Sequence, residues 1–235
     1  MNAVQPFSTP LRDAWARNGW VLIPGFIRGE ELAEVQLAGD RLWEHQDLFG
    51  SRGAVLNSAR RSDRMDPFID VSETFAALSR DPRLLAVVSE VLGGEPQLMK
   101  DKFIAKPGGS GGYGAHQDAA YWQGIDLDFD VVLTATLFLD DATADNGAME
   151  CASGQHHALL TEPGQVADPE EHLIKPFTMI EAKAGDLLLL HSLTPHRSGT
   201  NNTDGMRRAA HFTFAVDPVP DLYARYKQFT NASRS

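Results

Sequence analysis

Cysteine is almost missing from this chain: Cys151 stands alone among 235 residues. A single cysteine excludes an internal disulfide framework and fits a reducing compartment. Positive charge is scarce as well, with 21 Lys and Arg against 32 Asp and Glu and a formal net charge of −11. A nucleic-acid surface needs the opposite balance, so no nucleic-acid partner is expected. No apolar run approaches the roughly 18 residues of a membrane span, and no membrane role is expected. The opening MNAVQPFSTPLRDAWARNGW lacks a basic flank followed by an apolar core. That pattern is unlike a signal peptide and makes the cytoplasm the default. No internal repeat or low-complexity linker divides the chain, so one domain over 1–235 is expected, as a monomer or small homo-oligomer.

What is present divides into two halves. Over 1–96 the pattern is mainly helical: LRDAWARNG, GEELAEVQLAGDRLWEHQ from Gly29, and DPRLLAVVSEVLGG, with WVLIPGF as an early strand and LNSARRSDRMDP as a polar loop. The last helix has Pro at its start and Gly at its end, the expected asymmetry. Over 97–218 the chain reads as strands: QLMKDKFIAK, DVVLTATLFLDD, GAMECAS, FTMIEA, DLLLLHS and RRAAHFTFAV. Many short strands behind helices predict an α+β, mainly β fold, a double-stranded β-helix of the jelly-roll or cupin type. The acidic excursion over 162–173 reads as either a lid or a surface loop.

Within GAHQDAAYW, His116 and Asp118 lie two apart after a run of glycines. On a strand that spacing puts both on one face. Of the remaining histidines, His45 and His172 read as solvated, and His191 as a core or supporting residue. His196 stands out, because GDLLLLHSLTPHRSGTN delivers it to a strand end. Two imidazoles and a carboxylate on one face of a metal leave open positions opposite. Such ligands suit Fe(II), although Zn(II), Mn(II) or Cu(II) also accept them. Arg207 lies eleven residues past His196; a hairpin over SGTNNTDGM would return it beside that histidine. Its neighbour Arg208 reads as an ordinary exposed arginine. Lys100, Lys102 and Lys106 share one strand face, as do Thr134, Thr136 and Phe138. Tyr113, Tyr121 and Trp122 flank the candidate pair as pocket or core residues.

From about Leu98 to Val216 this combination resembles the phytanoyl-CoA dioxygenase family of iron- and 2-oxoglutarate-dependent oxygenases. The residues that carry the resemblance are His116 and Asp118, Asn146-Gly147, Gly154-Gln155-His156, Gly185-Asp186, His196 with Ser198-Gly199, and Arg207. One small departure is Cys151-Ala152-Ser153, where the family often has a proline. The resemblance implies that His116, Asp118 and His196 hold Fe(II), with 2-oxoglutarate and O2 as cosubstrates. Arg207 would clamp the distal carboxylate of 2-oxoglutarate, helped by Ser198, while Thr136 and Lys102 would line the cofactor site. It further implies hydroxylation of a small-molecule substrate, polar or anionic, with release of succinate and CO2. The intact Asp118 favours hydroxylation over halogenation. Competing readings are a cupin-like isomerase, a zinc hydrolase or a non-catalytic jelly-roll module.

Overall fold

The computed structural model describes residues 10–45, 55–56, 62–160, 176–216 and 219–232. Two antiparallel sheets face each other. One has seven strands in the order β1 (Trp20–Ile23), β9 (Leu187–His191), β6 (Val132–Phe138), β11 (Arg207–Ala215), β4 (Gln97–Lys106), β3 (Ser62–Met65) and β2 (Val55–Leu56). The other has four, β5 (Tyr113–His116), β10 (His196–Ser198), β7 (Met149–Cys151) and β8 (Thr178–Ile180). This is the expected jelly-roll core in an α+β chain.

Side-chain alternation divides the large sheet into two chemically distinct faces. Phe103 and Ala105 of β4, Leu133, Ala135 and Leu137 of β6, Leu187 and Leu189 of β9, and Phe212 and Phe214 of β11 turn outward. They form the main core with Val35 and Leu42 of α2 (Gly29–Glu44), Phe75 and Leu78 of α3 (Glu73–Leu78) and Leu84, Val87 and Val88 of α4 (Pro82–Leu92). The opposite face looks at the small sheet. At one end its core is apolar, built from Phe138, Leu188, Leu190, Ala209, Met149, Cys151 and Ile180. Towards the other end the same strand faces carry Lys100, Lys102, Thr134, Thr136, Arg207 and His211, and these line a cavity. The sheet is therefore held by its outer core and leaves its inner face for chemistry.

The helix ends follow their local residues. The Asp81 carboxylate accepts a 2.7 Å bond from Arg83 N at the start of α4, and Gly93 closes it at φ +81°. That left-handed conformation is open to glycine without a Cβ penalty.

Two expectations need correction, and one element went unread. The polar stretch read as a loop contains β3, which pairs Arg64 with Ile104 and Met65 with Phe103. Its hydrophilic residues are tolerated because sheet pairing satisfies the backbone and β3 borders a polar cavity. A helix over Leu222–Ala232, α5, follows the last strand and packs against β4; its weak amphipathic pattern gave no signal. Arg208 is buried, with 2.8 Å and 2.9 Å bonds to Asp140 and a further pair to Asp40. The 162–173 excursion lies outside the described residues.

Candidate active site

His116 and His196 occupy directly opposed positions on neighbouring strands β5 and β10. Their ring centroids are 4.3 Å apart. Strand β5 ends at His116, and Asp118 opens a short 3-10 helix over Asp118–Trp122. The pair therefore does not share one strand face as the spacing suggested. The chain turns after Gln117, which brings the carboxylate to the imidazole by a different route. Asp118 Oδ1 lies 3.9 Å from His116 Nε2. One ligand atom from each of His116, Asp118 and His196 falls within 4.8 Å of the others, and these are the only such three-residue group among the described residues.

Both imidazoles are oriented from behind. His116 Nδ1 donates to Gly114 O at 2.8 Å, and His196 Nδ1 donates to Thr194 O at 3.0 Å. With the proton fixed on Nδ1, each Nε2 presents its lone pair to the group. Burial and then His196 push His116 down to about 3. Burial also lowers His196, partly opposed by Asp118. Burial alone would raise the Asp118 carboxyl, but Lys102, the two histidines and Lys100 outweigh it and hold Asp118 below the usual range. Two neutral imidazoles and an ionised carboxylate are the protonation states that a divalent metal requires. The donor set fits Fe(II).

Gln117, between the two candidate ligands, is fully buried. Its amide nitrogen donates to Ala158 O at 2.8 Å and Leu193 O at 2.5 Å, and its oxygen accepts from Leu160 N at 2.5 Å. It ties the turn to two neighbouring segments. The glycines before it serve close approach more than flexibility: a Cβ at Gly112 would lie 2.3 Å from Ser198 O.

The triad opens into a cavity of about 390 Å³ between the sheets. Arg207, Ser198, Thr136 and Lys102 all line it, as do Tyr113, Tyr121 and Trp122. Arg207 does not return on a strand beside His196. It begins β11 in the large sheet, opposite Lys106, whereas His196 lies in the small one, so the two face the cavity from opposite walls. Lys106 shares the face of Lys100 and Lys102, yet its ammonium is used structurally, donating to Gly199 O at 2.5 Å with Ser198 Oγ at 3.5 Å. Burial, partly offset by Asp118, lowers Lys102 to about 8.

Among the other cavity residues are Arg64, Arg197, Tyr226 and Phe229, which the sequence did not single out, and His211, a candidate histidine to which it gave no role. His211 is paired in register with both Lys102 and Thr136. Its Nδ1 lies 2.9 Å from Thr136 Oγ1. Alternation from Arg207 would have put His211 on the same face. The two residues of α5 had no comparable signal. His191 packs against Trp15 and His156, away from the triad, as a core histidine.

Residues 15–209 match the family described as Phytanoyl-CoA dioxygenase (PhyH). The chain belongs to the phytanoyl-CoA dioxygenase family. The dioxygenase is 24% identical over 215 residues to the 2-aminoethylphosphonate dioxygenase of uncultured bacterium HF130_AEPn_1, spanning 88% of this chain and 81% of that one. It is 26% identical over 234 residues to the ectoine dioxygenase of Halomonas elongata, spanning 89% and 70%. Its fold matches EctD from S. alaskensis with 2-oxoglutarate and 5-hydroxyectoine at a TM-score of 0.80 and 21% identity, covering 92% of this chain and 78% of that one. It matches the epimerase SnoN in complex with Fe3+, alpha ketoglutarate and nogalamycin RO at 0.75 and 23%, covering 90% of each. The enzyme is thus a non-haem Fe(II)- and 2-oxoglutarate-dependent oxygenase acting on a small molecule. Among the described residues, no helix is long and apolar enough to cross a membrane.

Proposed function

We propose that the dioxygenase hydroxylates a C–H bond of a small anionic metabolite, with His116, Asp118 and His196 holding Fe(II). The observation that carries this reading is the partly buried triad with both histidines locked as Nδ1–H tautomers, facing Arg207 across one cavity. When bound, iron and 2-oxoglutarate supply O2-dependent decarboxylation to succinate and CO2, coupled to hydroxylation of the substrate.

The chain's residues do the positioning. Arg207 is 6% exposed and offers a planar fork of donors to the distal carboxylate of 2-oxoglutarate. Ser198, close to Lys106, adds a hydroxyl to that end of the cavity. Lys102 and Thr136 lie in one cross-sheet row with His211 and line the path between Arg207 and the triad. Thr134 Oγ1, 3.4 Å from Asp118 Oδ2, steadies the carboxylate. Trp122 and Tyr121 shield the centre from bulk water. The two sheets and their helices support one working unit over 1–235, a monomer or small homo-oligomer. A lone buried Cys151, its thiol raised by burial, suits the reducing cytoplasm.

The test is an anaerobic titration with Fe(II) and then 2-oxoglutarate, followed by visible spectroscopy. A charge-transfer band that Asp118→Ala abolishes is expected. Arg207→Ala should raise the 2-oxoglutarate Kd by about 10–100-fold, the loss of a charge-assisted bond. Folded protein that binds both components with no band, or an unaltered band in Asp118→Ala, would overturn the reading.

A further inference from the structure

The strand face that looks into the cavity carries a buried polar atom without a partner. His211 sits in the middle of β11, in register with Thr136 on β6 and Lys102 on β4. It is 7% exposed and lines the cavity. Its Nδ1 lies 2.9 Å from Thr136 Oγ1, while its Nε2 has no hydrogen-bond partner among the described residues. His211 also lies just beyond the residues 15–209 matched to the family, so the family match assigns it no part.

The tautomer follows from where the protons go. If Nδ1 donated to Thr136, the buried Thr136 hydroxyl would have no acceptor, because His211 is its only partner among the described residues. Nε2 would then be a second orphan, an unused acceptor. If the Thr136 hydroxyl donates to Nδ1 instead, a single orphan remains, an Nε2–H donor. The second arrangement leaves less unsatisfied in a buried place, where every orphan is costly. Lys102 on the other side does not relieve it, since an ammonium offers donors only. The imidazole itself stays neutral. Burial and then Lys102 hold it well below its ordinary value, with Arg207 and His196 acting in the same sense and Asp118 against them. His211 is thus opposite in tautomer to His116 and His196.

Register decides which part of the cavity this donor serves. The next same-face residue on β11 is Thr213, whose Oγ1 lies 3.0 Å from Thr134 Oγ1; that atom in turn lies 3.4 Å from Asp118 Oδ2. His211 is therefore one step, about 7 Å along the strand, from the row that touches the triad. Arg207 is two steps, about 13 Å, in the opposite direction. We infer that His211 donates from Nε2 to the carboxylate beside the keto group of 2-oxoglutarate, at the end nearer the triad, while Arg207 holds the distal carboxylate. The inference rests on the proposed iron and 2-oxoglutarate site. Such a bond is strengthened by its charged acceptor, and an uncharged donor adds no repulsion towards a metal cation.

Two measurements test it. In Zn(II)-substituted protein with isotope-labelled histidine, long-range proton–nitrogen correlation spectra read each tautomer, and the His211 signals are identified by their absence in His211→Gln. A protonated Nε2 is expected, with its proton moving downfield when 2-oxoglutarate is added. In anaerobic Fe(II) protein, titration of the charge-transfer band compares 2-oxoglutarate with 2-oxopentanoate, which keeps the 2-oxo acid and lacks the distal carboxylate. His211→Phe, checked for native melting, should raise Kd for both acids by the same factor, about 10-fold or more, and shift the band. His211→Gln retains an N–H and should recover much of the affinity, whereas Arg207→Ala should weaken 2-oxoglutarate alone. A protonated Nδ1, an Nε2 proton indifferent to 2-oxoglutarate, or unchanged affinities and band in His211→Phe would overturn the assignment. So would a loss confined to 2-oxoglutarate, which places the bond on the distal carboxylate. A wild type that shows no band and binds neither acid would bring down the iron and 2-oxoglutarate reading itself, and the inference with it.

Discussion

Removing the phenol of Tyr223 isolates one bond that holds α5 over the cavity. Asp101 is 1% exposed and collects three donors: Phe68 N at 2.6 Å, Ile69 N at 2.9 Å and Tyr223 Oη at 2.6 Å. Burial raises its carboxyl above the usual range despite those bonds. Tyr223→Phe keeps the ring and deletes one bond to this carboxylate, which costs about 1.5–3 kcal/mol. For a chain of this length that lowers Tm by roughly 3–12 °C. Asp101→Ala strands all three donors; two of them are backbone groups with no alternative partner in the core. Its cost is on the order of 5 kcal/mol, less than a simple sum because neighbouring losses are not additive. The assays are thermal melts and amide hydrogen exchange. Exchange should accelerate in α5 and around Phe68–Ile69 while β6 and β9 remain protected. An unchanged Tm in Tyr223→Phe, or acceleration confined to other elements, would refute the assignment of Asp101 as the latch.

Three further outcomes follow from other parts of the molecule. Gly112→Ala sets a Cβ against Ser198 O across the β5–β10 seam; it should cost about 2–3 kcal/mol and raise the Fe(II) Kd by about 10–100-fold, measured by melting and metal titration. Arg208→Met leaves Asp140 without its cation, and a urea titration should report a loss of about 2–4 kcal/mol. Burial and then His156 push His191 from 6.5 down to about 4, with His157 and Asp128 also facing it. Because the folded value is depressed for a base, the unfolded chain takes the proton first. Stability is thus full above 6.5 and falls by up to about 3 kcal/mol as pH drops towards 4; urea midpoints across that window should be flatter in His191→Gln.

The residues of the candidate site were mostly legible because their chemistry is local. An imidazole, a carboxylate and glycine turns in a recognisable order identify His116, Asp118, His196 and Arg207 without knowing which strands are neighbours. Period-two alternation on β4 and β6 likewise exposes Lys102 and Thr136. Arg208 was misread because nothing in RRAAHF says that its even-numbered side chain meets Asp140 and Asp40 from a turn and a helix. Arg64 was hidden in a polar stretch whose strand character comes only from pairing with β2 and β4. The α5 helix was hidden because much of its burial is against distant residues such as Met99 and Trp122, so its own periodicity is faint.

Composition and motif order by themselves determined the fold class, the family and the chemical type of the metal site. These depend on side-chain identity and short-range spacing. Tertiary structure alone decided that Asp118 reaches the site from a turn beyond its strand and that Arg207 faces His196 from the opposite sheet. It also decided that Arg64, Lys100 and Lys102 line one cavity together with Tyr226 and Phe229 of α5. Each of those facts depends on sheet register and on packing between distant segments, which no local pattern encodes.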